Sequence, residues 1–206
     1  MAAPDARERI LEAACDLIAS DGIDDVRIAR VATRARASTA LVHHYFSTRE
    51  ELLEQALIHS FEAAGEDRFG EQPGEGSATA SLARAIADSL PLPGRQEREW
   101  VLWVELWLRA VREPELRPVA ADLYQRYRRW MEGILSAGVE SGEFDPDLDV
   151  GAAADLALAL LDGAGVRALI SDPAMDVERA RALVVGRLAA ALGIDPEGLA
   201  VGASSL

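Results

Sequence analysis

Apolar residues recur at three- and four-residue spacing along most of this chain. Ile10, Ala13, Ala14, Leu17 and Ile18 share one face of a helix. Asp5 and Glu8 have the spacing of a capping box at its start, and Ser20-Asp21-Gly22 ends it. Val26 to Ala35 reads as a short helix with Ile28, Val31 and Ala32 facing inward. After a break of about three residues, Ser38 can cap a second short helix running to Phe46. Thr48 and Glu51 form a further capping box, which opens a longer helix burying Leu52, Leu53, Ala56, Leu57, Ser60 and Phe61. The run from Gly70 to Ser77 is a loop by composition. Beyond it, helical patterns cover Ala78 to Leu90, Glu97 to Arg112, Glu115 to Ser141, Leu148 to Ile170 and Val177 to Leu192. The few β-branched residues do not alternate with polar ones, so the pattern predicts an all-α fold of about nine helices and no strand.

Composition adds that such a chain can close a core unaided: half of its 206 residues are hydrophobic. The single cysteine, Cys15, sits at an apolar helical position and reads as a small core residue, not as a nucleophile. The N-terminus carries charge where a signal peptide needs an apolar stretch, and no run of about 18 apolar residues is free of charges. A soluble, cytoplasmic protein without membrane partner is the expectation.

Net charge is -14, which argues against a polyanionic partner if spread evenly. It is not. Between Val26 and Arg49 stand Arg27, Arg30, Arg34, Arg36 and Arg49 with His43 and His44, and no acid. The acid excess elsewhere repels DNA from everything except this island and favours one binding orientation.

A basic island on two short helices fits a helix-turn-helix. Its second helix lies in the major groove with N-terminal side chains at base edges, and its first crosses the backbone. Here Ser38, Thr39 and Ala40 occupy the first turn of that second helix, with His43, His44 and Tyr45 one turn on. Thr39, Ala40 and His43 are expected at bases, and Arg27, Ser38, Tyr45 and Arg49 at phosphates, with Arg30, Arg34, Arg36 and His44 as further DNA-facing candidates. At Gly22, Val31-Ala32, Ala35-Arg36-Ala37-Ser38, Val42-His43-His44-Tyr45-Phe46 and Thr48-Arg49-Glu50-Glu51-Leu52-Leu53 the chain resembles the TetR family of bacterial repressors. It departs from the family's pattern in three places. Arg27 replaces a capping Thr or Ser, Arg36 a turn glycine, and His43 a recognition-helix tyrosine. A left-handed conformation at Arg36 costs a non-glycine residue on the order of 1 kcal/mol.

The domains expected are a DNA-binding domain over 1–50, with a linking helix to about 69, and an effector-binding and dimerisation domain over 51–206. In the second, Trp100, Trp103 and Trp107 recur on one face of an almost wholly apolar helix. Tyr124, Tyr127, Trp130 and Met131 add a second aromatic stripe. The plain reading of both is core. The functional one is a pocket for a small hydrophobic or aromatic effector, lined by Phe61, Trp100, Trp103, Glu105, Trp107, Tyr124, Tyr127, Met131 and Asp162. Glu105 and Arg109 can pair across four residues. The Trp stripe, Pro-Glu-Leu, Tyr124-x-x-Tyr127-x-x-Trp130, Gly142-Glu143-Phe144 and Leu161-Asp162-Gly163 resemble the choline-betaine regulator subgroup. The family resemblance further implies a homodimer through the last two helices and a palindromic DNA operator.

The expected activity is therefore transcriptional regulation, as a dimeric repressor released by its effector. The alternatives are an activator, an effector-independent regulator, a helical interaction protein or an enzyme. The enzyme reading lacks any Gly-rich phosphate loop or nucleophile motif. No cofactor is expected. No metal is expected either, because His43, His44 and His59 have no i, i+4 or cysteine partner to complete a site.

Overall fold

The computed structural model describes residues 5–69 and 77–201, and all regular structure among them is helical. The elements are α1 (Ala6–Asp21), α2 (Ile28–Arg34), α3 (Thr39–Tyr45), α4 (Arg49–Phe69), α5 (Ala78–Asp88), α6 (Arg95–Arg112), α7 (Arg117–Ser141), α8 (Val150–Leu169), α9 (Val177–Leu192) and α10 (Pro196–Val201). Two single 3₁₀ turns, Ile23–Asp25 and Pro114–Leu116, precede α2 and α7. Of the loop expected over Gly70 to Ser77, only Ser77 lies within the described residues, and it caps α5 by accepting from Ala80 N at 3.1 Å.

Helix starts follow the local chemistry. Asp5, Ser38, Thr48, Asp149 and Asp176 each accept the backbone N–H three residues on, satisfying a donor that the first turn leaves without a partner. Around α4 the capping box is shifted by one residue. Thr48 Oγ1 accepts Glu51 N at 3.0 Å, while Glu51 reaches back to Ser47 N at 2.8 Å. The tenth helix escapes a periodicity search because six residues make under two turns. It is held by Asp195, which accepts from Glu197 N, and by Leu199, which is fully buried.

The chain divides into two compact units, Met1–Arg68 with Arg98–Ala121, and Phe69–Glu97 with Asp122–Leu206. The first unit's core is Ile10, Leu11, Ile18, Val31, Val42, Phe46, Leu52, Leu53, Leu57, Leu102 and Leu106, all at most 1% exposed. Cys15 belongs to it. Its thiol donates to Ala56 O at 3.0 Å, and burial pushes it up to about 12.

In the second unit α8 lies along α9, and α5 and α10 pack on α9. Leu82, Ile86, Met131, Leu135, Ala154, Ala157, Val184, Leu188 and Leu192 fill the space between them. The Gly142-Glu143-Phe144 segment closes this core. Gly142 takes φ 77, a left-handed value suited to glycine. Phe144 then drops onto Gly138, where a side chain's Cβ would lie 2.1 Å from the ring. Glu143 turns the other way and accepts Ala78 N at 2.8 Å and Thr79 N at 3.0 Å, at the start of α5. Partial burial pushes this carboxyl up, but the N–H groups of Thr79 and Ala78 outweigh it and hold it at about 2.

Candidate nucleic-acid interface

Seven residues give α3 two sides. Val42 is fully buried and Phe46, just past the end, is 1% exposed, so this side is anchored in the core. Arg7 lies 5.6 Å from the Phe46 ring centroid, which adds a cation–π contact. Ser38, Thr39, Ala40, His43, His44 and Tyr45 all face solvent. His44 and Tyr45 meet edge to face at 5.3 Å. The residues expected at bases thus share one exposed surface, and the exposed side chains of the first turn, Ser38, Thr39 and Ala40, are small.

The turn into α3 is a complete Schellman motif. Arg36 N donates to Thr33 O at 3.2 Å, and Ala37 N to Ala32 O at 2.9 Å. Arg36 holds the left-handed position with φ 52, as its place in the turn requires. Its side chain is exposed, and among the described residues no ion pair involves it.

The other four arginines have internal partners. Arg30 pairs with Asp21 at 2.6 Å and Arg34 Nε with Asp16 at 2.9 Å, both acids being supplied by α1. Arg27 Nη1 donates to Asp24 O at 2.7 Å. Arg49 turns inward. Its Nε donates to Val26 O at 2.7 Å, and its Nη2 to Ile23 O at 2.6 Å and Asp24 O at 3.0 Å. It braces the 3₁₀ turn before α2 and also lies beside Glu50, so its charge is spent largely on carbonyls. The free face of the island is therefore narrower than a count of arginines suggests, and it centres on Arg36 and α3.

Of the other predicted residues, Trp100, Trp103, Glu105 and Trp107 lie in the first unit, while Tyr124, Tyr127, Met131 and Asp162 lie in the second. The Phe61 side chain is outside the described residues. Trp107 contacts Trp100 edge-on at 6.2 Å and Trp103 at 5.6 Å. The Glu105–Arg109 pair is replaced by Arg109 with Glu113 at 3.2 Å, because Glu113 N closes the last turn on Arg109 O and brings those side chains together. In the second unit Tyr124 Oη donates to Asp162 Oδ2 at 2.8 Å. Burial pushes Asp162 up to about 6, only partly offset by that bond. Tyr127 stacks on Trp130 at 5.8 Å, and Met131 is fully buried.

The family model described as "Bacterial regulatory proteins, tetR family" matches residues 10–56, the stretch that holds α2, α3 and their supports. A second, "BetI-type transcriptional repressor, C-terminal", matches residues 78–193, more than half of the chain. The chain belongs to the TetR family. As a TetR-family member it is a DNA-binding transcriptional regulator and not an enzyme. It is 29% identical to the HTH-type transcriptional regulator BetI 1 of Chromohalobacter salexigens, over 87% of each chain. The BetI regulator of Klebsiella pneumoniae is 26% identical, over 87% of this TetR-family chain and 90% of the relative. Among solved structures, a transcriptional regulator from Saccharomonospora viridis in complex with choline superposes with a TM-score of 0.78 at 30% identity, covering 87% of this chain and 93% of that one. A TetR-family regulator from Rhodococcus sp. gives 0.74 at 28%, covering 91% and 98%. Among the described residues no helix is long and apolar enough to cross a membrane.

Proposed function

We propose that this regulator works in the cytoplasm as a homodimeric repressor, pairing α8 and α9 with those of a second copy and reading a palindromic operator. The observation that carries this is an outward strip of small or apolar residues on both helices. On α8, Ala152, Leu156, Ala159 and Gly163 face solvent, and on α9 so do Ala182 and Ala190, with Gly186 half-buried between them. Residues of this size let two helix pairs approach closely, and Leu156 at 37% exposure gains most from being covered. Two copies of α3 about 34 Å apart then meet successive turns of one DNA face. Mass measurement in solution, with operator selection from a randomised duplex library, tests the reading. A monomeric mass, or selected sites without two-fold symmetry, overturns it.

The effector acts on the second unit, and Asp162 gives it a chemical character. A small hydrophobic or aromatic molecule is the expectation from the aromatic stripes. The carboxylate beside Tyr124, without an ion pair among the described residues, adds a preference for a cationic group on that molecule. The similarity to a regulator crystallised with choline supports this class. Calorimetric titration with choline, in buffers of different ionisation enthalpy near pH 6, is expected to show proton release from Asp162. Asp162→Asn abolishes that release. Binding that Asp162→Asn leaves unchanged refutes the assignment.

A further inference from the structure

We propose that Arg98 is a positioning residue for the DNA-reading helix, holding α1 by two carboxylates and, through one of them, fixing the helix that leads into α3. One terminal nitrogen of Arg98 makes both contacts, to Glu12 Oε2 at 3.1 Å and to Asp16 Oδ1 at 2.9 Å. These acids lie four apart, one turn of α1, and without a cation between them they repel.

Each carboxylate is shared with another helix through its second oxygen. Glu12 Oε1 meets His59 of α4 at 3.1 Å. Asp16 Oδ2 meets Nε of Arg34, the last residue of α2, at 2.9 Å. A single ionic chain, His59–Glu12–Arg98–Asp16–Arg34, therefore links α4, α1, α6 and α2 within the first unit. Arg34 lies within the Schellman turn, between its acceptors Ala32 and Thr33 and its donors Arg36 and Ala37, so the direction of α3 depends on where α2 ends. With seven residues each, α2 and α3 cannot set their own orientation.

Arg98 is tied in by its tip alone. Its Nε is buried without a hydrogen-bond partner among the described residues, so the two carboxylate contacts are made by a terminal nitrogen and not by Nε. It is also the residue at which the chain returns from the second unit to the first. The assignment rests on the operator-binding function and goes beyond it, because Arg98 itself is not on the exposed face of α3.

The test compares Arg98→Gln, Arg98→Lys and Arg34→Gln with the charge-matched control Arg112→Gln at the far end of α6. Each full-length protein is titrated against the duplex that the wild type selects from a randomised library, and against unselected duplex, over a range of salt. Arg98→Gln is expected to weaken specific binding by about 2- to 30-fold, the range of known coupling mutations. Binding to unselected duplex and the slope of log affinity against log salt stay those of Arg112→Gln, since no phosphate contact is lost. Arg98→Lys, which can place one nitrogen between both carboxylates, restores most of the loss. Combining Arg98→Gln with Arg34→Gln gives less than the product of the two effects, because both act through Asp16.

Specific binding by Arg98→Gln equal to that of Arg112→Gln overturns the proposal, and so does a fall in salt slope, which would make Arg98 a phosphate contact. Equal losses on selected and unselected duplex also overturn it, because they indicate a general loss of folded protein. Failure of the wild type to select any duplex counts instead against the DNA-binding reading.

Discussion

Alanine at Gly138 and alanine at Gly133 are the same substitution on the same helix, five residues apart, and should have opposite signs. At Gly133 an added Cβ meets nothing within 4 Å, so only backbone propensity changes. Alanine is favoured over glycine in a helix by about 1 kcal/mol. At Gly138 the new Cβ falls 2.1 Å from Phe144 Cδ2 and 2.2 Å from Cε2, so the ring must retreat by more than 1 Å to reach ordinary contact. It cannot slide away freely, because Phe144 N is bonded to Gly138 O at 3.0 Å. Overpacking of this kind costs about 1–3 kcal/mol, and full expulsion of a buried phenylalanine about 3–5. A shift of more than 1 Å belongs at the upper end of the first range or in the second, so, less the gain in propensity, Gly138→Ala destabilises by about 2–4 kcal/mol. For a chain of this size each kcal/mol moves Tm by about 2–4 °C. Thermal scans and urea titrations followed by circular dichroism should show Gly133→Ala above the wild type and Gly138→Ala clearly below it. Equal shifts, or a change at Gly138 smaller than about 0.5 kcal/mol, would refute the packing argument.

Three further outcomes follow from single residues. Arg36→Gly relieves a left-handed arginine, so Tm should rise by a few degrees for about 1 kcal/mol gained, while operator affinity falls and its salt slope drops by about one phosphate contact. A fall in Tm removes the strain argument. Glu143, held at about 2 against an ordinary value near 4.3, contributes stability that is fully present above pH 5 and is lost as pH falls toward 2. The urea midpoints of wild type and Glu143→Gln should therefore differ at pH 7 and draw together only as pH falls from about 5 to about 2, with roughly half of the gap left near pH 3; a constant gap contradicts this. Cys15, pushed up to about 12 and buried, should resist an aromatic disulfide reagent at pH 8 until urea unfolds the first unit, and rapid labelling of the native protein would count against its burial.

What could be read from the chain alone was what neighbours in sequence decide. Asp5, Ser38 and Thr48 are visible as caps because the N–H each accepts lies three residues on. The buried sides of α1 and α2 are visible because a helix's faces follow from spacing. The left-handed turn at Arg36 was legible only through the family resemblance, in which a glycine holds that place. The basic island was overstated because its neutralising acids, Asp16 and Asp21, lie outside the window and meet Arg34 and Arg30 only when α1 packs on α2. Arg49 was placed at phosphates from its charge beside the N-terminus of α4; its carbonyl partners lie in and just after a three-residue turn that leaves no periodic signal. Gly142-Glu143-Phe144 could be noticed as a motif, but its reason lies at Ala78 and Thr79, some 65 residues away.

The first unit is assembled from two stretches, with Phe69–Glu97 of the other unit intervening in the chain. On a ribosome this imposes a delay. The helix-turn-helix emerges before Arg98, Leu102 and Leu106, and the first unit is complete only after translation has passed Ala121, 53 residues beyond Arg68. At about 5–20 residues per second that interval is roughly 3–10 s. During it the nascent DNA-reading segment lacks part of its core, and a chaperone or protease that samples emerging chains meets it in that unfinished form. A truncated chain that stops near residue 69 would make this interval permanent.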